Sequence, residues 1–150
     1  MTVYFHENDI PNEIQLVDSV AIDTETMGLR TNRDRLCLIQ ISSGNGDAHL
    51  LKIENNKLNP KQRYKNLKKI LQNKNILKIF HFARFDLAAL NYYICKVEGN
   101  IWCTKIASKL SRTYTNKHGL SDLTRELLSI EISKEQQSSN WGSKIISKKQ

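Results

Sequence analysis

The sequence predicts a mixed α/β domain in which helices pack on a central sheet. Two observations lead to this fold class. Short apolar segments rich in β-prone residues come first, and later segments alternate between helical periodicity and short strands. The chain has 150 residues, enough for a domain that buries roughly 68–70% of its unfolded surface. We therefore expect a single domain over residues 1–150.

The first part of the chain has the pattern of an antiparallel meander that begins near Asp18. Ser19–Ile22 is apolar and β-prone, and apolar positions alternate in Arg35–Ile41. Ser42–Asp47 contains an Asn-Gly step, which is the strongest short hairpin signal. His49–Ile53 then follows as the return strand.

The second part alternates between helices and short strands. Leu67, Ile70 and Leu71 recur at helical spacing beside basic residues, which predicts an amphipathic helix with a cationic outer face. In chain order the expected elements are a helix opened by Pro60, a strand Leu77–Phe80, a helix Asp86–Tyr93, a strand Ile101–Thr104, a helix around Ile106 and Leu110, and a helix Leu120–Leu128 with Ser121 as its N-cap.

Positive charge is concentrated in one stretch of the chain. The formal net charge is +8, and residues 52–78 alone hold nine basic residues against one acid, Glu54. These are Lys52, Lys57, Lys61, Arg63, Lys65, Lys68, Lys69, Lys74 and Lys78, and a second cluster ends the chain at Lys144, Lys148 and Lys149. A basic surface attracts polyanions such as a phosphate backbone, whereas a solvated helix face is the alternative.

The composition excludes several classes of protein. No apolar run approaches the roughly 20 residues of a membrane-spanning helix, and the first residues lack the apolar core of a secretory signal. Cys37, Cys95 and Cys103 are odd in number and widely spaced, so they predict neither a disulfide framework nor a zinc motif. We therefore expect a protein of a reducing compartment, the cytoplasm, without a membrane partner.

Three acidic residues follow two apolar strands. Asp23 and Glu25 stand two residues apart and project from the same side of a strand, about 6–7 Å apart. Asp86 follows the strand Leu77–Phe80 and is the only acid between Glu54 and Glu98. Paired carboxylates of this kind favour a hard cation such as Mg²⁺ or Mn²⁺. The alternatives are a solvent-facing strand end for the pair and a helix N-cap for Asp86.

Together these motifs resemble the DEDD 3′–5′ exonucleases, and among them ribonuclease D. The resemblance covers the chain from about Asp18 and rests on DTETMGL at 23–29, RLCLIQIS at 35–42, HFARFDLAAL at 81–90, GLSDLTRELL at 119–128 and QQSSNW at 136–141. It implies a ribonuclease H-like fold. It also implies hydrolysis of phosphodiester bonds at RNA 3′ ends by a two-metal-ion mechanism with Mg²⁺ or Mn²⁺.

The resemblance also implies the site residues. The metal ligands, which are the catalytic residues, match Asp23, Glu25 and Asp86. In the family, the position of Leu29 packs against the terminal base, with plain core packing as the alternative, and Thr26 lies beside the terminal ribose. Nucleic acid with a single-stranded 3′ end, most simply RNA, is thus the expected partner.

Three further residues near Asp86 are candidates for substrate binding. His81, Phe82 and Arg84 flank it in a segment that fits a strand-to-helix turn along a groove. Aromatic rings stack on bases, and an arginine meets a phosphate. Core packing is the alternative for Phe82.

One family motif does not occur in the sequence. The family's third motif, Tyr-x-x-x-Asp on a final helix, supplies a fourth acidic ligand, and its Tyr orients the attacking water. No Tyr follows Tyr114 and no Asp follows Asp122. We therefore expect the motif and the final helix to lie beyond Gln150, the domain to be incomplete at its C-terminus, and activity to be impaired. The alternatives are an inactive nucleic-acid-binding remnant and a subunit completed by another chain.

Overall fold

The structure, a computed structural model, describes residues 2–12, 18–54, 63–132 and 141–143. Six strands and four helices occur among them. In chain order they are β1 Thr2–His6, β2 Ser19–Thr26, β3 Leu36–Ser42, β4 Asp47–Lys52, α1 Lys65–Gln72, β5 Leu77–Phe80, α2 Ala83–Tyr93, β6 Ile101–Cys103, α3 Thr104–Ser111 and α4 Leu120–Leu128. The predicted α/β fold class is confirmed.

The strands form one mixed sheet in the order β1-β4-β3-β2-β5-β6. β2, β3 and β4 pair in antiparallel fashion, as the meander predicts, whereas β5 and β6 add in parallel beside β2. β1 pairs in parallel with β4 at the other edge and was not predicted from the sequence. Its side chains Val3, Tyr4 and Phe5 are exposed, so it lacks the alternation that reveals a half-buried strand.

The main core lies where α1 and α2 cover the sheet. Leu67 and Leu71 of α1 are fully buried, as are Ile39 of β3 and Leu90 of α2. Their spacing in α1 is the one that the sequence predicts. Among the described residues no helix is long and apolar enough to cross a membrane.

The starts of three helices differ from the sequence-based expectation. α2 begins at Ala83, three residues before the expected start at Asp86. α1 begins at Lys65, and Pro60 lies outside the described residues. The backbone N–H groups of Asn66 and Leu67 donate to the carboxylate of Asp9, which caps the helix. Asp9 is distant in sequence, so this cap could not be predicted from the residues next to the helix. α4 begins after Gly119, so the predicted N-cap, Ser121, lies inside the helix.

One lysine of the predicted basic surface lies in the interior of the protein. Lys78 is completely buried, and its Nζ donates to the backbone carbonyls of Asn73 and Glu98. Burial lowers the pKa of Lys78, an effect that Glu98 partly opposes. The basic residues at 57, 61, 144, 148 and 149 lie outside the described residues.

Candidate active site

The acidic residues come from two adjacent parts of the fold. Asp23 and Glu25 lie on β2, the strand between β3 and β5, and β5 leads directly into α2. Asp86 is in the first turn of α2 and is 3% exposed. It is not the N-cap of the helix, because that position is Phe82. The parallel pairing of β2 with β5 therefore brings the start of α2 to the carboxylates of β2.

Thr24 connects the strand to the helix. Side chains alternate along β2, so Thr24 points away from Asp23 and Glu25 and is buried. Its Oγ1 donates a hydrogen bond of 2.7 Å to Oδ1 of Asp86. This bond fixes the orientation of the carboxylate and favours its charged form.

The three carboxylates interact with one another. Burial and, to a lesser extent, the charges of Asp23 and Asp86 together raise the pKa of Glu25 to about 7. Burial and the charge of Asp23 raise the pKa of Asp86 to about 6, although the hydrogen bond from Thr24 opposes the rise. The pKa of Asp23 is raised by burial too, although its side chain is open to solvent. The arrangement concentrates negative charge that the described protein groups do not neutralise.

The donor set fits a hard divalent cation. It consists of carboxylate oxygens, which Mg²⁺ and Mn²⁺ prefer, and a cation would relieve the repulsion that raises the pKa values. Among the described residues no three acidic, His or Cys side chains converge into a ready-made metal cage.

Leu29 lies at the tip of a tightly held loop between β2 and β3. Its side chain is 85% exposed, so the core-packing alternative is wrong. Oδ2 of Asp34 accepts a hydrogen bond of 3.0 Å from the backbone N–H of Arg30. Thr26 Oγ1 donates to the carbonyl of Gly28 at 2.5 Å, and a Cβ on Gly28 would collide with Asp34. The loop therefore holds an apolar side chain out in water, beside the carboxylates of β2.

His81 has a defined tautomer. Thr104 Oγ1 donates its single proton to the carbonyl of Phe80, 3.1 Å away. The 2.9 Å contact between Thr104 Oγ1 and His81 Nδ1 therefore has the imidazole N–H as donor. Burial lowers the pKa of His81, as does the nearby Lys105. The imidazole is thus neutral at pH 7, with Nε2 free to accept a hydrogen bond.

A cavity of about 360 Å³ is lined by both His81 and Asp23. Asp23, Gln40, His81 and Thr104 are among the residues that line it. Phe82, next in sequence, is 46% exposed, so the core alternative for this ring is wrong, while Phe80 is buried in the core. Arg84 is exposed on the first turn of α2. The candidate residues near Asp86 thus lie along an open surface.

Three residues that the sequence did not single out support this site. Thr24 orients Asp86, Asp34 holds the Leu29 loop, and Lys105 lies over the Phe82 ring. Only Thr24 has a local signal, because it lies between two candidate ligands. The contact of Asp34 with Arg30 is local to its loop, whereas the Lys105–Phe82 contact joins segments whose relative placement depends on the fold.

We expect the metal-free protein to lose stability as the pH rises through the range set by Glu25. The folded state raises this pKa from 4.5 to about 7, so it prefers the protonated carboxyl. The contribution of the protonated Glu25 carboxyl to the free energy of unfolding is complete below pH 4.5 and is lost as the pH rises through about 7. Because Glu25 is partly exposed, the change is of order 1 kcal/mol.

Urea unfolding in EDTA at pH 5 and pH 8 measures this effect. His81 has a lowered pKa and contributes with the opposite sign, so the comparison is between the wild type and Glu25→Gln. The wild type should lose more free energy of unfolding than the variant between the two pH values. Identical losses would contradict the prediction. Mg²⁺ at pH 8 should restore stability to the wild type more than to the variant.

Comparison with known proteins gives the family of this chain. A family model described as 3′–5′ exonuclease matches residues 2–150. Ribonuclease D of Desulfotalea psychrophila is 28% identical over 142 residues, which cover 94% of this chain and 36% of that protein. The chain spans about a third of the length of the curated relatives that it matches.

Three solved structures are also similar to this chain. Brucella melitensis NrnC bound to pGG is 49% identical, with a TM-score of 0.92 over 100% of this chain and 71% of that chain. The same protein with bound Mg²⁺ superposes with a TM-score of 0.90 over 99% of this chain and 71% of that chain, at 49% identity. Escherichia coli RNase D shares the fold, with a TM-score of 0.71 at 22% identity over 88% of this chain and 33% of that chain.

The mixed sheet and its helices have the ribonuclease H-like fold that the resemblance of the sequence implies. The chain belongs to the 3′–5′ exonuclease family, whose members are hydrolases that generally use divalent metal ions.

Proposed function

We propose that this protein is a 3′–5′ exoribonuclease that uses two divalent metal ions, Mg²⁺ or Mn²⁺, to hydrolyse phosphodiester bonds at RNA 3′ ends. The observation that carries the proposal is the set of Asp23, Glu25 and Asp86, in which burial and neighbouring carboxylate charges raise the pKa values of Glu25 and Asp86. Carboxylates grouped in this way favour cation binding. The relative NrnC, solved with bound Mg²⁺, supports the same metal here.

In this proposal the three carboxylates bind the cations. Bound divalent cations supply Lewis-acid activation of the phosphate and lower the pKa of water. Thr24 holds the carboxylate of Asp86 in one orientation through its 2.7 Å hydrogen bond. The protein thereby provides a charged site with little left to reorganise during the reaction.

We further propose that the neighbouring residues hold the end of the nucleotide chain. Leu29, held out in solvent by its loop, packs against the terminal base, and Thr26 lies beside the terminal ribose. His81 offers a bare Nε2 as a hydrogen-bond acceptor, while Phe82 and Arg84 offer a ring face and a cation. Such contacts bind a single-stranded end without strong sequence preference.

RNA is the proposed substrate class. Curated relatives of this chain are named ribonuclease D, and NrnC has been solved bound to pGG. These findings support a single-stranded 3′ end or a short nucleotide chain as substrate. We also propose a cytoplasmic location, for which the free thiols of Cys37, Cys95 and Cys103 are the support.

A nuclease assay tests the proposal. A 5′-labelled single-stranded RNA is incubated with the protein in Mn²⁺ or Mg²⁺, and in EDTA. We expect stepwise shortening from the 3′ end with either metal and none in EDTA. Asp23→Ala should be inactive. Asp47→Ala should remain active as the matched control, because Asp47 begins β4 at the hairpin, away from the acidic cluster.

Other outcomes distinguish the alternatives. Intact RNA with tight, salt-sensitive binding would overturn the enzymatic proposal and favour a nucleic-acid-binding role. Equal activity in Asp23→Ala would contradict the assigned site. Release of internal fragments in place of a ladder would contradict hydrolysis from the 3′ end.

A further inference from the structure

Lys105 is a cation that the proposed function does not yet use. It lies in the first turn of α3, directly after Thr104. Its Nζ is 4.4 Å from the centroid of the Phe82 ring. Among the described residues it forms no ion pair with a carboxylate. The contact with the ring fixes where the ammonium group lies but leaves its charge without a counterion there.

The ring beneath Lys105 is held in an unusual backbone conformation. Phe82 has φ 69° and ψ 47°, the left-handed region, which is strained for a bulky residue. It occupies the N-cap of α2, where its side chain makes no capping hydrogen bond. The strained residue instead presents its ring to solvent and to Lys105. Strain of this kind is found where a side chain must point in a functional direction.

His81 connects this pair to the acidic cluster. It precedes Phe82 in sequence and lines the same cavity as Asp23. Lys105 is near enough to His81 to influence the imidazole electrostatically. The other side of His81 is fixed by Thr104, the neighbour of Lys105 in α3. An unpaired cation and an exposed aromatic ring therefore lie beside His81, which lines the same cavity as Asp23.

We propose that Lys105 binds a phosphate of the nucleotide chain, with Phe82 beneath it supporting the ammonium group. The inference rests on the proposed function and adds a phosphate-binding residue to the same site. Three carboxylates repel an approaching polyanion, and a cation beside them offsets that repulsion for a phosphate. Lys105 has the charge of a phosphate ligand, and no described acid competes for it.

Binding without turnover tests the proposal. Affinity for a labelled single-stranded RNA, and separately for pGG, is measured by fluorescence anisotropy and competition in Ca²⁺, over a time in which the RNA stays intact. The variants are Lys105→Met, which keeps the length of the side chain, and Lys105→Arg, which keeps its charge. Lys109→Met is the matched control, because Lys109 lies one turn further along α3 and is exposed.

We expect Lys105→Met to weaken binding about tenfold, the usual effect of losing one charge-assisted contact. The slope of log affinity against log salt for the RNA should fall by roughly 0.7, the value for one phosphate contact on a single strand. Lys105→Arg should bind within about twofold of the wild type. Unchanged affinity in Lys105→Met, or an equal loss in Lys109→Met, would overturn the proposal.

A titration separates charge from a general structural effect. The imidazole resonances of His81 are followed by NMR in the wild type and in the two Met variants. Removal of the Lys105 charge should raise the pKa of His81, and Lys109→Met should leave it unchanged. If the wild type binds RNA in Ca²⁺ but does not cleave it in Mn²⁺, the proposed function is contradicted. The binding assay with the Lys105 variants then still decides whether Lys105 binds a phosphate. Absence of binding by the wild type would overturn both proposals.

Discussion

Replacing Asp86 with asparagine is expected to lower the rate of metal-dependent hydrolysis by at least about 10³-fold without unfolding the protein. Asparagine has the same shape as aspartate and still accepts the hydrogen bond from Thr24. It removes the negative charge that binds a cation, and it does so at a position that is 3% exposed, where water cannot substitute. The loss should therefore appear in catalysis and in metal binding together.

Two measurements check this result. Single-turnover assays in Mn²⁺ give the rate, and isothermal titration gives the affinity for the metal alone. In EDTA at pH 8 the variant should be at least as stable as the wild type, because the repulsion between Asp86 and its acidic neighbours is gone. Asp122→Asn on α4 is a matched control, since that side chain forms a surface ion pair with Arg125. Near wild-type activity in Asp86→Asn would contradict the assignment of Asp86 to the active site.

Lys78→Ala is expected to lower the free energy of unfolding by about 3 kcal/mol, the range for emptying a buried side-chain position and losing its hydrogen bonds. Lys78 is completely buried in β5, and its Nζ donates to the carbonyls of Asn73 and Glu98. The alanine leaves a void and removes both donors. β5 pairs with β2 and leads into α2, so the affected strand is one that positions the acidic residues.

Lys74 provides the matched control for this prediction. Its side chain is 74% exposed and pairs with Glu98 at 3.6 Å. Lys74→Ala should change the free energy of unfolding by less than about 0.5 kcal/mol, as expected of a surface ion pair. Urea denaturation at constant pH and salt measures both variants. Equal losses of unfolding free energy in Lys74→Ala and Lys78→Ala would contradict the burial of Lys78. Lys78→Met should be more stable than Lys78→Ala, because the longer side chain refills the void.

Features encoded in neighbouring residues could be predicted from the sequence. The strand predicted at Arg35–Ile41, the Asn-Gly turn and the helical spacing of Leu67, Ile70 and Leu71 each reflect local geometry. The alternation predicted for that strand is wrong, because consecutive residues of β3 are buried on both faces of the sheet. The order of strands and helices follows from such signals. Asp23 and Glu25 were identifiable as a pair for the same reason, because a strand places residues i and i+2 on one side.

Features that depend on distant partners could not be predicted in this way. The sequence predicts Lys78 as a surface lysine, whereas in the structure its ammonium group donates to backbone carbonyls from two separate segments. Phe82 looked like a core residue, but the left-handed backbone turns its ring outward. The cap on α1 comes from Asp9, more than fifty residues earlier in the chain. Charge counts and hydropathy do not contain this information, because tertiary contacts determine it.

The position of β1 also bears on the order in which the sheet assembles. Thr2 pairs with Asp47 and His6 with Leu51, and β4 is the only described strand that β1 contacts in the sheet. Closing so long a loop costs entropy before any pairing is gained, so we expect β1 to dock after the β3–β4 hairpin has formed. We also expect the backbone amides of this edge strand to exchange with solvent before those of the inner strands.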